Sequence, residues 1–241
     1  MKNFCFMFIA MIFFFLNFTG CSSREKVFSD FERYYILSGA ENEKIPLVKN
    51  NTSEGDRILR RKSVDISPDN YIAKHLAKRM KTSVIAAPGV GIAAPQVGFN
   101  VKMIWVKRMD RENPDFELYY NPEIVEYSED AKIGWEGCLS VPAGFGKVSR
   151  SRWIRVKYDT LEKSGVVEKV EGYTAIIFQH EIDHLHGTLF IDKREKEKML
   201  SKEEYRAMRK KDKNQSSTEK SREKETVDKD FSPDEEPRVI E

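Results

Sequence analysis

"QHEIDHLHG" (residues 179–187) holds three of the four histidines in this 241-residue chain, and its reading decides the fold. In an α-helix His180 and His184 stand one turn apart on the same face, so both imidazoles can reach one cation. Glu181, beside the first of them, can lean toward a water at that cation and serve as a general base. His186 lies six residues past His180, about 240° around the axis, and faces away. Glu171 and Gly172 open the helix, the run "YTAIIF" (173–178) leads into it, and Gly187 ends it as a C-terminal cap.

A catalytic site of this kind needs a third protein ligand and an open position. The extended zinc-protease pattern continues through Gly187 to a histidine at 190, where this chain has Phe190, and no histidine follows. A second protease pattern takes a glutamate from a following helix, for which Glu195 and Glu197 qualify by position alone. Upstream, Cys138 in "EGCLSVP" (136–142) offers a soft thiolate. Cys5 and Cys21 lie in or beside an apolar leader, so Cys138 has no disulfide partner in the body of the chain.

Outward from the helix, short turn-bounded runs read as strands: "VKMIWVK" (101–107), "ELYYN" (117–121), "IVEY" (124–127), "WIRVKYD" (153–159) and "VVEKV" (166–170). With no helices between them they pair antiparallel. Ile72, Leu76 and Met80 share one face of a helix over 69–81 that follows Pro68, with His75 as a surface or boundary residue. The expected fold is therefore α+β: antiparallel sheets packed around a central metal-binding helix, with a charged C-terminal helix.

The chain divides into a signal segment (1–20), a polar connector or transit segment (21–55), a catalytic domain (56–192), a charged helix (193–212) and a disordered tail (213–241). The apolar run "FCFMFIAMIFFFLNF" (4–18) has signal-peptide length, and an amino-terminal membrane anchor is the competing reading. "FTGC" (18–21) also resembles a bacterial lipoprotein cleavage site. With 41 basic and 39 acidic residues the net charge is +2, which provides no whole-chain argument for binding nucleic acid or acidic lipid. In "RAMRKKDK" (206–213) the surrounding acids make a solvated face the expected role.

Three segments, "GVGIAAPQVG" (89–98), "EGCLSVP" and "QHEIDHLHG", resemble the motifs of the peptide deformylase family in order and approximate spacing. "GDRILRRKS" (55–63) is similar to the family's start, and the likeness covers most of 56–192. The resemblance implies one divalent metal ion held by Cys138, His180 and His184, with Fe²⁺ expected and Zn²⁺, Co²⁺ or Ni²⁺ as alternatives. It makes Glu181 the general acid/base, and the Gln96 amide and Leu139 N–H the oxyanion donors. Val90, Gly91, Tyr173, Ile176 and Ile177 would bind substrate, Gly91 by letting an extended peptide come close; the two isoleucines could equally be core. Glu136 and Arg150 would pair beside the cysteine loop, unless they form a mere exposed ion pair.

The implied reaction is hydrolytic release of formate from N-formylmethionine at the start of new polypeptides. The implied partners are N-formylmethionyl nascent peptides and an organellar ribosome, with no DNA and no stable membrane association of the mature protein. Leader and connector together resemble a bipartite plastid address, and the whole chain resembles the apicoplast-targeted family members of malaria parasites; the rival is a membrane-anchored bacterial lipoprotein. Pro95, Gly134 and Ser149 depart from the family's usual threonine, apolar pocket residue and proline.

Overall fold

The computed structural model describes residues 27–223; the expected signal segment and the chain beyond 223 lie outside the described residues. In chain order the helices are α1 (Asp30–Ser38), α2 (Ser53–Leu59), α3 (Tyr71–Ala86), α4 (Gly172–Leu185), α5 (Phe190–Lys193) and α6 (Lys202–Glu223). The strands are β1 (Gly91–Ala93), β2 (Met103–Lys107), β3 (Phe116–Tyr127), β4 (Ala131–Cys138), β5 (Val141–Ser151), β6 (Trp153–Asp159) and β7 (Val166–Glu171), with a 3-10 turn at Ala94–Val97. Five strands form one antiparallel sheet in the order β1-β2-β3-β6-β7, and β4 and β5 form a separate hairpin. The expected α+β class with antiparallel sheets is what the chain adopts.

Alternation along β2 explains the layering. Ile104 and Val106 point into the core shared with Phe178, Ile182 and Leu185 of α4, whereas Met103 and Trp105 point into the core shared with Leu76 and Met80 of α3. The sheet is thus held between two helices, and α4 is buried on nearly all sides. Its sequence accounts for this: most of its side chains are apolar, and the polar Gln179, His180, Glu181 and His184 are buried too. At its end Gly187 adopts φ 74°, and a Cβ there would stand 2.2 Å from the Arg60 carbonyl oxygen. Only glycine fits that position.

Three expectations need correction. Residues 28–55 are not a featureless connector: Phe28, Ile36 and Ile45 are core residues. Ser29 caps α1 through a capping box with Glu32, and buried Arg79 donates to the carbonyls of Tyr35, Ile36 and Glu43. One buried anchor on the nine-residue helix, with Phe28 before it and Ile45 after it, leaves no long periodic run to read. Secondly, the runs 117–121 and 124–127 belong to one strand, β3, bent where Asn121 takes φ 49° and its side chain bonds both backbone groups of Ile66. Thirdly, the charged helix starts at Lys202, not 193, and continues past 212. Residues 194–200 instead run beside β5, with Glu195 N–H donating to Lys147 O and Leu200 exchanging two bonds with Phe145. Ser201 and Glu204 then cap α6 reciprocally.

Candidate metal centre

Helix α4 presents His180 and His184 toward the hairpin, and the β4–β5 turn brings Cys138 to them. The ligating atoms of the three residues all lie within 4.8 Å of one another, and every one of the side chains is buried. Cys138 Sγ is 3.3 Å from His184 Nε2. Tetrahedral coordination with typical metal–sulfur and metal–nitrogen bonds would set these atoms about 3.5 Å apart. His180 Nδ1 lies 2.9 Å from Glu136 Oε2, so Nδ1 carries the proton and Nε2 keeps a lone pair; that Nε2 is buried without a protein partner. A thiolate and two imidazoles, one with an unsatisfied buried lone pair, fit a divalent transition metal.

The electrostatics follow from burial. It pushes the Cys138 thiol up to about 12 and the Glu181 carboxyl well above its usual range, the second reinforced by the Glu136 charge. It drives His184 well below the ordinary imidazole value, with His180 and Arg150 adding to the effect. Burial alone would raise Glu136 as well, yet the hydrogen bonds from Arg150 and His180 outweigh it and hold that carboxyl at about 2. A bound cation would favour the thiolate.

Glu136 and Arg150 do not form an exposed ion pair. Arg150 meets both carboxylate oxygens of Glu136 at 2.7 and 2.9 Å, with side chains 4% and 2% exposed, and reaches Asp183 Oδ2 at 2.6 Å. Asp183 in turn accepts from Lys193. A charged chain thus runs from the surface through Asp183, Arg150 and Glu136 to His180. Sequence reading missed Asp183; its place three residues after His180, near the Arg150 side of the helix, was the available signal.

Gln96 sits in the 3-10 turn, where its Oε1 accepts from Ala93 N–H at 2.8 Å and its Nε2 lies 3.6 Å from Cys138 Sγ. Pro95 falls at the start of this turn, where no N–H is required, so the departure from threonine costs no hydrogen bond. Leu139 follows Cys138 directly. Glu181 is buried, and Gly91 lies against it: a Cβ on Gly91 would stand 2.4 Å from Glu181 Oε1. The absent side chain therefore makes room for the glutamate itself, a reason that sequence alone did not suggest. Val90, Tyr173, Ile176 and Ile177 share one apolar cluster; Tyr173 and Ile176 are partly exposed, whereas Ile177 is fully buried among core residues. At Gly134 a Cβ would meet nothing within 4 Å. His186 is exposed, His75 is half-buried with Nε2 against Gly39 O, and beside β5 Glu195 is half-buried and Glu197 exposed.

A family model for polypeptide deformylases matches residues 48–199. The chain belongs to the polypeptide deformylase family. The peptide deformylase of Thermotoga neapolitana is 39% identical over 139 residues, covering 58% of this chain and 82% of its own. Peptide deformylase 2 of Gloeobacter violaceus is 41% identical over 150 residues, covering 61% and 79%. Among solved structures, the Met-Ala-Ser-bound class I type b peptide deformylase of Acinetobacter baumannii is 34% identical, with TM-score 0.56, covering 63% of this chain and 99% of its own. As a deformylase-family member the chain is a hydrolase that removes the formyl group from N-formylmethionine. The described residues contain no helix long and apolar enough to cross a membrane.

Proposed function

We propose that Cys138, His180 and His184 hold the metal of this deformylase and that Glu181 is its general acid/base. The observation that carries the assignment is the buried convergence of one thiol and two imidazoles beside a buried carboxyl. When bound there, a divalent metal lowers the pKa of a water and polarises the formyl oxygen. Glu181 accepts a proton from the attacking water and passes it to the departing amine nitrogen as the formyl C–N bond breaks. Formate and a free methionyl amine result. The Gln96 amide and Leu139 N–H donate to the oxygen on which negative charge develops. Val90, Tyr173 and Ile176 form the apolar wall suited to a methionine side chain. The Met-Ala-Ser peptide bound to the Acinetobacter baumannii enzyme supports a methionyl peptide as occupant.

For the metal we propose Fe²⁺, on the family resemblance; the donor set also suits Zn²⁺, Co²⁺ and Ni²⁺. Metal analysis after anaerobic purification tests it. Nascent formylmethionyl chains at the ribosome of the same compartment are the proposed substrate source. A plastid address would have to fit within residues 1–27, because Phe28 is already core. A lipid-anchored bacterial protein, cleaved before Cys21 and exported, would not meet nascent chains, so the proposed substrate favours the plastid route. The mass of the mature N-terminus separates the two. Formate release from formyl-Met-Ala-Ser by the purified chain, abolished by Glu181→Ala with metal retained, tests the chemistry. Internal cleavage of unformylated peptides would indicate an endopeptidase, and binding without turnover a recognition module.

A further inference from the structure

Residues 48–50, in the stretch expected to be a connector, touch both segments that carry the oxyanion donors. Val48 N–H donates to Gln96 O at 2.8 Å and Asn50 N–H to Ser140 O at 2.9 Å. Between them the half-buried Lys49 extends its ammonium to the Leu139 carbonyl oxygen. Val48 also packs against the core group containing Cys138, Val141 and Leu189. Gln96 comes from the sheet side of the site and Leu139 from the hairpin, so the two donors belong to different substructures. Among the described residues, the side-chain hydrogen bond from Gln96 to the hairpin is the weak 3.6 Å approach of its Nε2 to Cys138 Sγ.

We propose that residues 48–50 are a brace setting the two oxyanion donors against each other, with Lys49 as its positioning residue. The proposal rests on the roles given above to Gln96 and Leu139. A neutral backbone hydrogen bond at each end fixes the strap, and the charge-assisted bond from Lys49 fixes the Leu139–Ser140 peptide plane. That plane follows directly on the Cys138–Leu139 peptide, whose N–H is the second donor. Donors to an oxyanion act by being fixed in advance at the place where charge develops, so a small tilt weakens the transition state more than substrate binding.

The test compares the full chain with Lys49→Met and Lys49→Arg. For Lys49→Met, formate release from formyl-Met-Ala-Ser should show kcat lowered about tenfold, less than the 10²–10³ that loss of a whole donor costs. KM, metal content and melting temperature should stay at wild-type values, and Lys49→Arg should restore most of kcat. In the zinc-loaded protein, the Leu139 backbone amide and Gln96 side-chain amide resonances should shift in Lys49→Met while those of the exposed His186 region do not. This readout needs no turnover, so it separates failure of the brace from failure of the deformylase assignment. Unmoved resonances would overturn the proposal. So would an unchanged kcat, or a parallel fall of kcat, metal content and melting temperature.

Discussion

Arg150→Met is the most searching perturbation of the metal centre that leaves all its ligands in place. Arg150 is 4% exposed and compensates two carboxylates at once, Glu136 through a two-point contact and Asp183 through a third bond. Methionine fills much of the volume but leaves Glu136, itself 2% exposed, with its charge buried and only His180 as partner. Removing one member of a buried pair costs about 3–5 kcal/mol. At roughly 2–4 °C per kcal/mol for a domain of this size, the melting temperature should fall by about 6–20 °C.

A second effect is separable from the first. Glu136 holds the His180 ring with Nδ1 protonated and Nε2 free, and a carboxylate no longer gripped by Arg150 holds it less firmly. Loosening such a support typically costs about 10–100-fold in metal affinity or activity. Thermal denaturation followed by circular dichroism, with metal content measured after dialysis against a chelator, reads both. The double variant Glu136→Gln, Arg150→Met removes the stranded charge and keeps an acceptor for His180, so it should recover much of the lost melting temperature. If Arg150→Met melts within about 3 °C of wild type, the buried-charge argument is refuted.

Three further outcomes follow from the same geometry. Gly91→Ala should lower kcat by about a hundredfold, the usual result of displacing a catalytic group by about 1 Å, with KM less affected; steady-state kinetics on formyl-Met-Ala-Ser decides it, and wild-type kcat would show that Glu181 has room to move. A chain beginning at residue 56 should fail to fold. It loses Phe28, Ile36 and Ile45, at roughly 1.5–3 kcal/mol each, and strands the buried Arg79; a cooperative melt from that fragment would contradict this. Arg108, fully buried, holds Asp110 and Glu168 below the usual carboxylate range although burial alone would raise them. Their folded values are depressed, so their stabilisation is present above the unfolded carboxylate value of about 4 and is lost as pH falls through the lower folded values. Urea titrations between about pH 5 and pH 3 should therefore show a flatter pH dependence for Arg108→Met than for wild type.

The ligands were legible because their signal is local or chemically rare. A five-residue spacing places His180, Glu181 and His184 on a helix, and a single cysteine in the body narrows the search for the third ligand. The Glu136–Arg150 pair was expected from the family resemblance, but the supports Lys49 and Arg79 were not legible. Both act on groups far away in sequence by bonding backbone carbonyls, which every residue carries. No residue type advertises such an acceptor.

The same reasoning explains why the amino-terminal boundary was misplaced. Residues 28–50 lack a periodic apolar face because they do not build a helix layer of their own. They supply isolated anchors to a core that α3 and the sheet have already shaped, and then cross to the hairpin. A segment of this kind looks like a linker by composition and behaves as a clamp by contact. Trimming it as a leader would remove core side chains and, on the reading developed above, the brace between the oxyanion donors. A loss of activity in such a fragment would then be mistaken for a fault in the metal site. The Lys49 variants avoid that ambiguity, since they leave the core anchors Phe28, Ile36 and Ile45 in place and alter a single contact at the site.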